Sequence, residues 1–155
     1  MAHAAKILTV STAAAEGNRE DKSGDALETT LRAAGFDVVE RRIVTDGTDA
    51  VAAALRDLID GFSGLVVTAG GTGFSPTDET PEGTRQVLDR DAPGLAEAMR
   101  LVNPLGRLSR GIAGTAGTAI VINTPGSTAG SVECLEAVID VLPHALDLLA
   151  GGHPH

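Results

Sequence analysis

A glycine-rich stretch followed by one aspartate is the part of this sequence best suited to bind an anion. An apolar run ends at Thr68, the segment Gly70-Gly71-Thr72-Gly73 follows, and Asp78 stands shortly after it. Glycine lets the backbone come close to a ligand, and neighbouring amide groups can converge on an anion. The pattern predicts a phosphate bound together with a metal ion, with Asp78 beside them. The alternatives are a tight structural turn and a carboxylate that only starts a helix.

Three other segments carry residues suited to the same chemistry, each with a plainer alternative. Asp46 precedes Gly47 after a predicted strand, where an Asp-Gly pair also forms ordinary turns. The segment Asn123-Thr124-Pro125-Gly126-Ser127 repeats the order of strand, turn and hydroxyl, as an ordinary strand-to-helix connection also does. Arg110 lies beside Gly111 and suits a two-pronged phosphate contact, although an isolated arginine is usually a solvated surface group.

Length and composition predict one globular domain without a nucleic-acid or membrane surface. The 155 residues fit a single domain over 1–155, with 1–5 and 151–155 frayed. A net charge of −9, three Phe and no Trp or Tyr leave neither a basic footprint nor a stacking platform for bases. No apolar run reaches the ~18–20 residues of a membrane span, and no signal-peptide pattern precedes Lys6, so we expect a cytoplasmic protein.

The cysteine and the histidines suggest no further reactive site. Cys134 lies among Leu135 and Val138 and is interpreted as a small buried hydrophobe, with a reactive thiol as the alternative. His153 and His155 belong to the tail that is predicted to fray, and none of the four histidines has metal-ligand spacing to another ligand cluster. We therefore expect neither a disulfide framework nor a cysteine-rich metal site.

Apolar runs and helical spacing predict alternating strands and helices. Strands are predicted at 6–11, 37–44, 64–68 and 118–122, the second at an edge or half exposed because its middle is charged. Helices are predicted at 23–34 with Ser23 as the cap, from 48 or 49 with an apolar face through Phe62, at 80–88, at 94–102 with Val102 inward, and at 131–149. Pro143 should kink or divide the last helix, and 105–115 should be a loop or an irregular pair of short segments.

This alternation predicts an α/β fold with a mostly parallel central sheet between helix layers. In such sheets, ligands bind outside the carboxyl ends of the strands. The loops after the strands, at 11–22, 45–47, 69–77 and 123–128, would then gather at one edge of the sheet. We expect Asp46 and Asp78 to lie near each other at that edge.

Taken in order, these motifs resemble the molybdopterin-binding family of molybdenum-cofactor biosynthesis, of the Mog/MoaB type. The resemblance covers nearly the whole chain, and its motifs are specific only together: Asp21-Lys22-Ser23-Gly24, Asp46, Thr68-Ala69-Gly70-Gly71-Thr72-Gly73, Asp78-Glu79-Thr80-Pro81-Glu82, Leu108-Ser109-Arg110 and Asn123-Thr124-Pro125-Gly126-Ser127. The chain departs from the usual family motifs at Ala69, Thr77, Glu79, Thr124 and Thr128. These departures bear on substrate affinity more than on fold.

The resemblance implies a three-layer α/β/α sandwich, commonly a trimer, with molybdopterin adenylyltransferase activity. In that reaction the terminal phosphate of molybdopterin attacks the α-phosphate of Mg-ATP, giving adenylyl-molybdopterin and pyrophosphate. Asp46 and Asp78 match the catalytic aspartates, and we interpret them as ligands of Mg²⁺ or a similar divalent cation. The positions expected to bind ATP and molybdopterin are Ser11, Asp21, Ser23, Gly24, Gly70, Gly71, Thr72, Gly73, Ser109, Arg110, Asn123, Pro125, Gly126 and Ser127.

Two other functions are left open by the sequence. A non-catalytic pterin-binding protein would have the same pocket without adenylyl transfer. A Rossmann-type oxidoreductase is disfavoured because no G-x-G-x-x-G motif follows the first predicted strand. Pyrophosphate release from Mg-ATP in the presence of molybdopterin would separate the enzyme from the binding protein.

Overall fold

The computed structural model describes residues 2–152, and its centre is a six-stranded sheet. The strands are β1 (Ala4–Val10), β2 (Asp37–Val44), β3 (Gly64–Ala69), β4 (Arg90–Asp91), β5 (Ala113–Ala116) and β6 (Ala119–Thr124). They lie in the order β2-β1-β3-β6-β5-β4. The pairs from β2 through β6 are parallel, and β5 and β4 each pair antiparallel with their inner neighbour. The prediction of a mostly parallel sheet is confirmed.

The parallel strands end level with one another, which places the loops that follow them at one edge. Val10 of β1 pairs with Val44 of β2, Thr9 pairs with Ala69 of β3, and Ala69 pairs with Thr124 of β6. Because β1 lies between β2 and β3, the chain crosses to one side after β1 and to the other side after β2. Such a reversal leaves a crevice outside the carboxyl ends of the strands on either side of it, here β1 and β3.

Helices cover both faces of the sheet. On one face lie α2 (Lys22–Ala33), α5 (Pro93–Leu101), α6 (Thr128–Val138) and α7 (Leu142–Leu149), whose Leu27, Leu135 and Leu142 pack in one core cluster with Ile7. On the other face lies α3 (Thr48–Ile59), whose Leu55 packs with residues of β1 and β3, and α4 (Thr80–Arg85) packs beside it. The three-layer α/β/α arrangement is confirmed. Both β3 and β6 are buried along their whole length, as strands covered on two faces must be.

The beginning of the chain is more ordered than the sequence suggests. β1 starts at Ala4, and Ala5 is fully buried, so these two residues do not fray as predicted. A single helical turn, α1 (Thr12–Ala15), stands where a loop was predicted, and the Ser11 side chain caps it by accepting from Ala14 N. One turn is too short to carry a helical pattern, which explains why the sequence does not reveal it.

Several helix boundaries also differ from the predictions. The cap of α2 is Asp21, which accepts from Gly24 N, rather than Ser23. α3 ends at Ile59, so Phe62 packs against the core from the following turn. Pro143 divides the predicted last helix into α6 and α7, since a proline in the first turn starts a helix but cannot continue one.

The segment 105–115, predicted as a loop or an irregular pair of short segments, contains parts of two short regular elements. A 3-10 helix covers Pro104–Leu108, and β5 follows it at the sheet. Val102, expected to face inward, is 45% exposed. The two-residue β4 was not predicted, because a strand of that length carries no periodic signal.

The structure tests only part of the prediction that both ends of the chain fray. Gly151 and Gly152 donate backbone hydrogen bonds to Leu148 O and Asp147 O, at 3.0 and 2.9 Å, and therefore close the end of α7. The predicted fraying of Met1 and of 153–155 falls outside the described residues. Between residues 2 and 152, no helix combines the length and the apolar character needed to cross a membrane.

Candidate active site

Two cavities open at the carboxyl edge of the sheet and share a ridge. The polar cavity, ≈ 650 Å³, lies at the crevice between β1 and β3, and the apolar cavity, ≈ 590 Å³, lies beneath α5, α6 and the 3-10 helix. Both are of the size that small-molecule sites have. The residues that line both cavities are Gly71, Asp78, Gly126 and Ser127. A ligand with two unlike halves could therefore reach from one cavity to the other across this ridge.

The structure gathers most of the residues predicted for the site around these cavities. The polar cavity includes Ser11, Asp21, Ser23, Asp46 and Gly70, and the apolar cavity includes Thr72, Gly73, Ser109, Asn123 and Pro125. Asp46 and Asp78, 32 positions apart in the sequence, line the same polar cavity. Gly24 and Arg110 line neither cavity.

The first two glycines of the loop have backbone conformations that side chains rarely adopt. Gly70 has a φ of 103° and Gly71 a φ of 69°. A Cβ on Gly70 would collide with the Val10 carbonyl oxygen, and a Cβ on Gly71 would collide with the Thr80 hydroxyl. The Thr80 hydroxyl donates to Gly70 O at 2.8 Å, and Thr80 N donates to Gly71 O at 3.0 Å. The glycine loop is thus fixed between β1 and the start of α4.

Asp46 is held by one carboxylate oxygen and presents the other. Thr12 N and the Thr12 hydroxyl donate to Asp46 Oδ2, at 3.2 and 3.0 Å, and Asp46 N donates back to the hydroxyl at 3.1 Å. The position of a Cβ on Gly71 would be 3.5 Å from Asp46 Oδ1. Among residues 2–152, the hydrogen bonds to the Asp46 carboxylate go to Oδ2, and Oδ1 is the oxygen nearer the glycine loop.

Asp78 is also held by one carboxylate oxygen, and here the bonded oxygen is the one nearer the glycine loop. Ser75 N donates to Asp78 Oδ2 at 3.0 Å, and Asp78 N donates to Ser75 O at 2.9 Å. A Cβ on Gly73 would lie 2.9 Å from Asp78 Oδ2. The two carboxylates therefore flank the glycine loop, one beside Gly71 and the other beside Gly73.

This donor set fits a cation that is shared with a phosphate rather than enclosed by protein. Magnesium typically uses one or two carboxylates and fills its remaining positions with water and substrate phosphates. Asp46 and Asp78 supply two carboxylates that line one cavity. In the part of the chain that the structure describes, no group of three or more His, Cys, Asp or Glu side chains forms a metal cluster.

The polar cavity carries local positive charge beside its four carboxylates, those of Glu20, Asp21, Asp46 and Asp78. The first residues of α2, Lys22 and Ser23, and the cap and first residue of α6, Ser127 and Thr128, line it. The amino ends of helices carry partial positive charge and unpaired amide groups. Arg19 and Lys22 add two full charges at the same cavity. Neither Arg19 nor Lys22 was expected from the sequence to contact a ligand, although Lys22 stands within the motif that begins at Asp21.

Two predicted ligand residues near the start of α2 are bonded within the protein instead. The Asp21 carboxylate accepts from the Thr9 hydroxyl at 2.9 Å, from Gly24 N at 3.0 Å and from Arg41 at 2.9 Å. Ser23 is buried, and its hydroxyl donates to Gly126 O at 2.7 Å. These contacts join α2 to β1, β2 and the loop after β6, so the motif shapes the polar cavity even where it offers no free side chain.

The Asn123 side chain is also fully engaged inside the protein. Asn123 is 2% exposed; its Nδ2 donates to the Thr68 and Thr84 hydroxyls, both at 3.0 Å, and its Oδ1 accepts from Ile112 N at 3.1 Å. The substituted Thr124 donates to Thr68 O at 2.8 Å. These bonds tie β6 to β3 and α4, and they hold the turn that carries Pro125, Gly126 and Ser127.

The substituted Glu79 has a structural role beside Asp78. Its Oε2 accepts from Thr48 N at 2.7 Å and from the Thr48 hydroxyl at 3.1 Å. The residue before α3 is Gly47, which has no side chain to cap that helix. Glu79 therefore supplies the missing cap from a distant segment and joins the start of α3 to the loop that carries Asp78.

Apolar side chains line much of the apolar cavity, with Arg100, Glu133 and Asp78 also among its lining residues. Met99, Val102, Leu105 and Leu108 line it together with Cys134. Burial raises the pKa of the Cys134 thiol above its usual value, and the nearby Glu133 adds to this effect. The thiol is therefore kept protonated, but Cys134 is half-buried at the cavity rather than fully buried as the sequence suggested.

Comparisons with known proteins agree with this fold. Residues 6–144 match the family described as "Probable molybdopterin binding domain". The chain is 36% identical over 154 residues to the molybdopterin adenylyltransferase of Helicobacter pylori strain J99, covering 95% of this chain and 88% of the relative. It is 33% identical over 165 residues to the molybdopterin adenylyltransferase of Escherichia coli strain K12, covering 94% and 84%. The solved structure of the molybdopterin biosynthesis enzyme MoaB from Thermus thermophilus superposes with a TM-score of 0.90 at 44% identity, over 96% of this chain and 97% of that one.

Proposed function

Because the chain belongs to the molybdopterin-binding family of molybdenum-cofactor biosynthesis, we propose that it transfers an adenylyl group from Mg-ATP to molybdopterin. Relatives that carry the name molybdopterin adenylyltransferase align along most of their length, which supports the proposal. The single observation that carries it is the position of Asp46 and Asp78. They flank the glycine loop at the polar cavity, and the ridge beside them leads to the apolar cavity.

In this reaction the main obstacle is charge rather than nucleophilicity. The terminal phosphate of molybdopterin is already ionised near neutral pH, so its attack on the α-phosphorus of ATP needs no strong base. The bond from the α-phosphorus to the bridging oxygen breaks, and pyrophosphate leaves with that oxygen. Positioning and charge stabilisation therefore supply most of the rate.

The residues at and around the ridge have different roles in positioning the substrates and stabilising charge. The free oxygens of Asp46 and Asp78 would hold Mg²⁺, which supplies positive charge next to the reacting phosphates. The loop from Gly70 to Gly73 offers backbone amides to phosphate oxygens. Arg19, Lys22 and the amino ends of α2 and α6 offset further negative charge of the nucleotide at the polar cavity. The apolar cavity suits a flat heterocycle joined to these phosphates.

Assembly and location complete the proposal. Leu101, Leu105 and Leu108 are 85%, 70% and 57% exposed, a concentration of apolar surface near the apolar cavity that supports an oligomer. By resemblance we propose a trimer, which sedimentation equilibrium would measure. An ATP-consuming biosynthetic step is consistent with the cytoplasmic location expected from the sequence.

The direct test is pyrophosphate release. Purified protein with Mg-ATP and molybdopterin should release one pyrophosphate for each adenylyl-molybdopterin formed, and omission of either substrate should abolish release. Binding of molybdopterin without any pyrophosphate would instead identify the non-catalytic pterin-binding protein. The adenylyltransferase relatives do not favour that alternative.

The Thr12 hydroxyl should matter for turnover, because it orients Asp46 from outside the cavity. Replacing Thr12 by valine removes that hydroxyl and keeps the shape of the side chain. A hydrogen bond to a charged group is worth roughly 1.5 kcal/mol, so kcat should fall about tenfold, with molybdopterin affinity little changed. Thr12→Ser is the matched control and should keep most of the activity. A wild-type kcat in Thr12→Val would mean that Asp46 needs no such support.

A further inference from the structure

Arg110 is bonded to both ends of the loop that carries Asp78. Its Nε donates to Gly73 O at 2.7 Å, and its Nη2 donates to Asp78 O at 2.6 Å. Its backbone N donates to Thr72 O at 2.7 Å. Arg110 therefore connects its own segment to Gly73 at the end of the glycine loop and to Asp78 just before α4.

The charge of Arg110 is balanced by a neighbouring carboxylate of the protein. Its Nη1 lies 2.7 Å from Glu82 Oε2, and its Nη2 lies 3.2 Å from Glu82 Oε1, a two-pronged pair at the first turn of α4. The hydrogen bond with Arg110 lowers the pKa of Glu82 and raises the pKa of Arg110, so both groups stay charged at neutral pH. Four of the five guanidinium N–H groups thus have protein partners, and Arg110 lines neither cavity.

The loop between these attachment points has few other contacts to hold it. The four residues 74–77 are all exposed, with Phe74 at 72%. The Asp78 carboxylate is bonded to Ser75 within the same loop, which shapes the turn but does not fix it to the rest of the protein. Arg110, the Glu79 contact with Thr48 and the bonds of Thr80 to the glycine loop supply that attachment, and Arg110 contacts both Gly73 and Asp78.

We propose that Arg110 is a positioning residue for adenylyl transfer, which sets Asp78 against the glycine loop, and that it does not bind phosphate. The effect of Arg110 on catalysis rests on the proposed function. It differs from the phosphate contact that the sequence suggested for Arg110, because the donors expected for phosphate are directed at Gly73, Asp78 and Glu82. Glu82 takes part in this positioning, because it holds the guanidinium against the carbonyl oxygens of Gly73 and Asp78.

The test compares Arg110→Lys with Arg85→Gln as a matched control. Arg85 also pairs with a surface carboxylate, Asp91, and it lies outside both cavities. Lysine keeps the charge of Arg110 but cannot donate to both carbonyl oxygens and to Glu82 in the same geometry. We expect kcat for pyrophosphate release to fall by at least tenfold and the Mg²⁺ concentration for half-maximal rate to rise several-fold. The KM for ATP should change less than twofold, and Arg85→Gln should leave all three values near wild type.

Amide hydrogen exchange provides a readout that does not depend on catalysis. Peptides covering 73–79 should exchange faster in Arg110→Lys than in wild type or in Arg85→Gln, with the remaining sheet unchanged. If exchange in this loop is unchanged, the positioning role is wrong even when the enzyme is active. If the KM for ATP rises while kcat is kept, Arg110 binds phosphate and the inference is overturned. An inactive wild type would instead refute the proposed function, and the exchange result would still decide whether Arg110 fixes the loop.

Discussion

Replacing Asp78 by asparagine should lower kcat for pyrophosphate release by about 100-fold or more. Asparagine keeps the size of the side chain and can still accept from Ser75 N, but it removes the negative charge that would hold Mg²⁺. Charge stabilisation by a bound metal is worth several kcal/mol, and each ~1.4 kcal/mol is tenfold in rate. Steady-state kinetics with Mg-ATP, together with calorimetric binding of molybdopterin, would measure both effects.

The affinity for molybdopterin should change much less than kcat in Asp78→Asn. Equal losses of rate and affinity would mean that Asp78 binds substrate uniformly, and this would reject the metal-holding role. Asp60→Asn is the matched control, because Asp60 is exposed after the end of α3, away from both cavities. Its kinetics should equal those of wild type. Asp46→Asn should lower kcat by a similar factor, since both carboxylates lie beside the glycine loop at the polar cavity.

Replacing Gly70 by alanine should both destabilise the protein and abolish most of its activity. The φ of 103° strains any residue with a side chain, and the new Cβ would meet the backbone of Val10, which cannot move without disturbing β1. The free energy of unfolding should fall by about 3 kcal/mol, within the range for combined strain and overpacking. Urea denaturation would measure this change, and pyrophosphate release below the transition would report on the loop.

Gly117→Ala separates backbone strain from the collision with Val10 as causes of the destabilisation expected in Gly70→Ala. Gly117 has a φ of 59°, also in the left-handed region, but nothing lies within 4 Å of where its Cβ would be. Its cost should be the backbone strain alone, about 1 kcal/mol, without loss of activity. Equal destabilisation by the two substitutions would show that the close approach of Gly70 to β1 contributes nothing.

The sequence predicts best those elements of the fold that have a long apolar pattern or that a proline or glycine bounds. β2 was predicted with its observed bounds at 37–44, and the apolar run of β3 was placed within one residue of its end. Pro143 correctly indicated a break between two helices. These features are local, because the pattern of a segment and its proline or glycine suffices to recognise them.

What the sequence did not predict depends on contacts between distant segments. The bond from Ser23 to Gly126 spans 103 positions, and the bonds of Arg110 reach Gly73, 37 positions away. A side chain that suits a phosphate suits a carbonyl oxygen or a carboxylate equally well, so its residue type cannot reveal its partner. For the same reason Thr12, which holds Asp46, could not be recognised as part of the site.

We expect Asp46 and Asp78 together to hold a divalent cation at the phosphates of ATP. The most direct measurement is a crystal structure with Mn²⁺ and a non-hydrolysable ATP analogue, in which anomalous scattering locates the metal. We predict one anomalous peak bonded to a carboxylate oxygen of each aspartate, with phosphate oxygens reaching the loop from Gly70 to Gly73. A peak that contacts neither aspartate, with the triphosphate away from the glycine loop, would contradict the account.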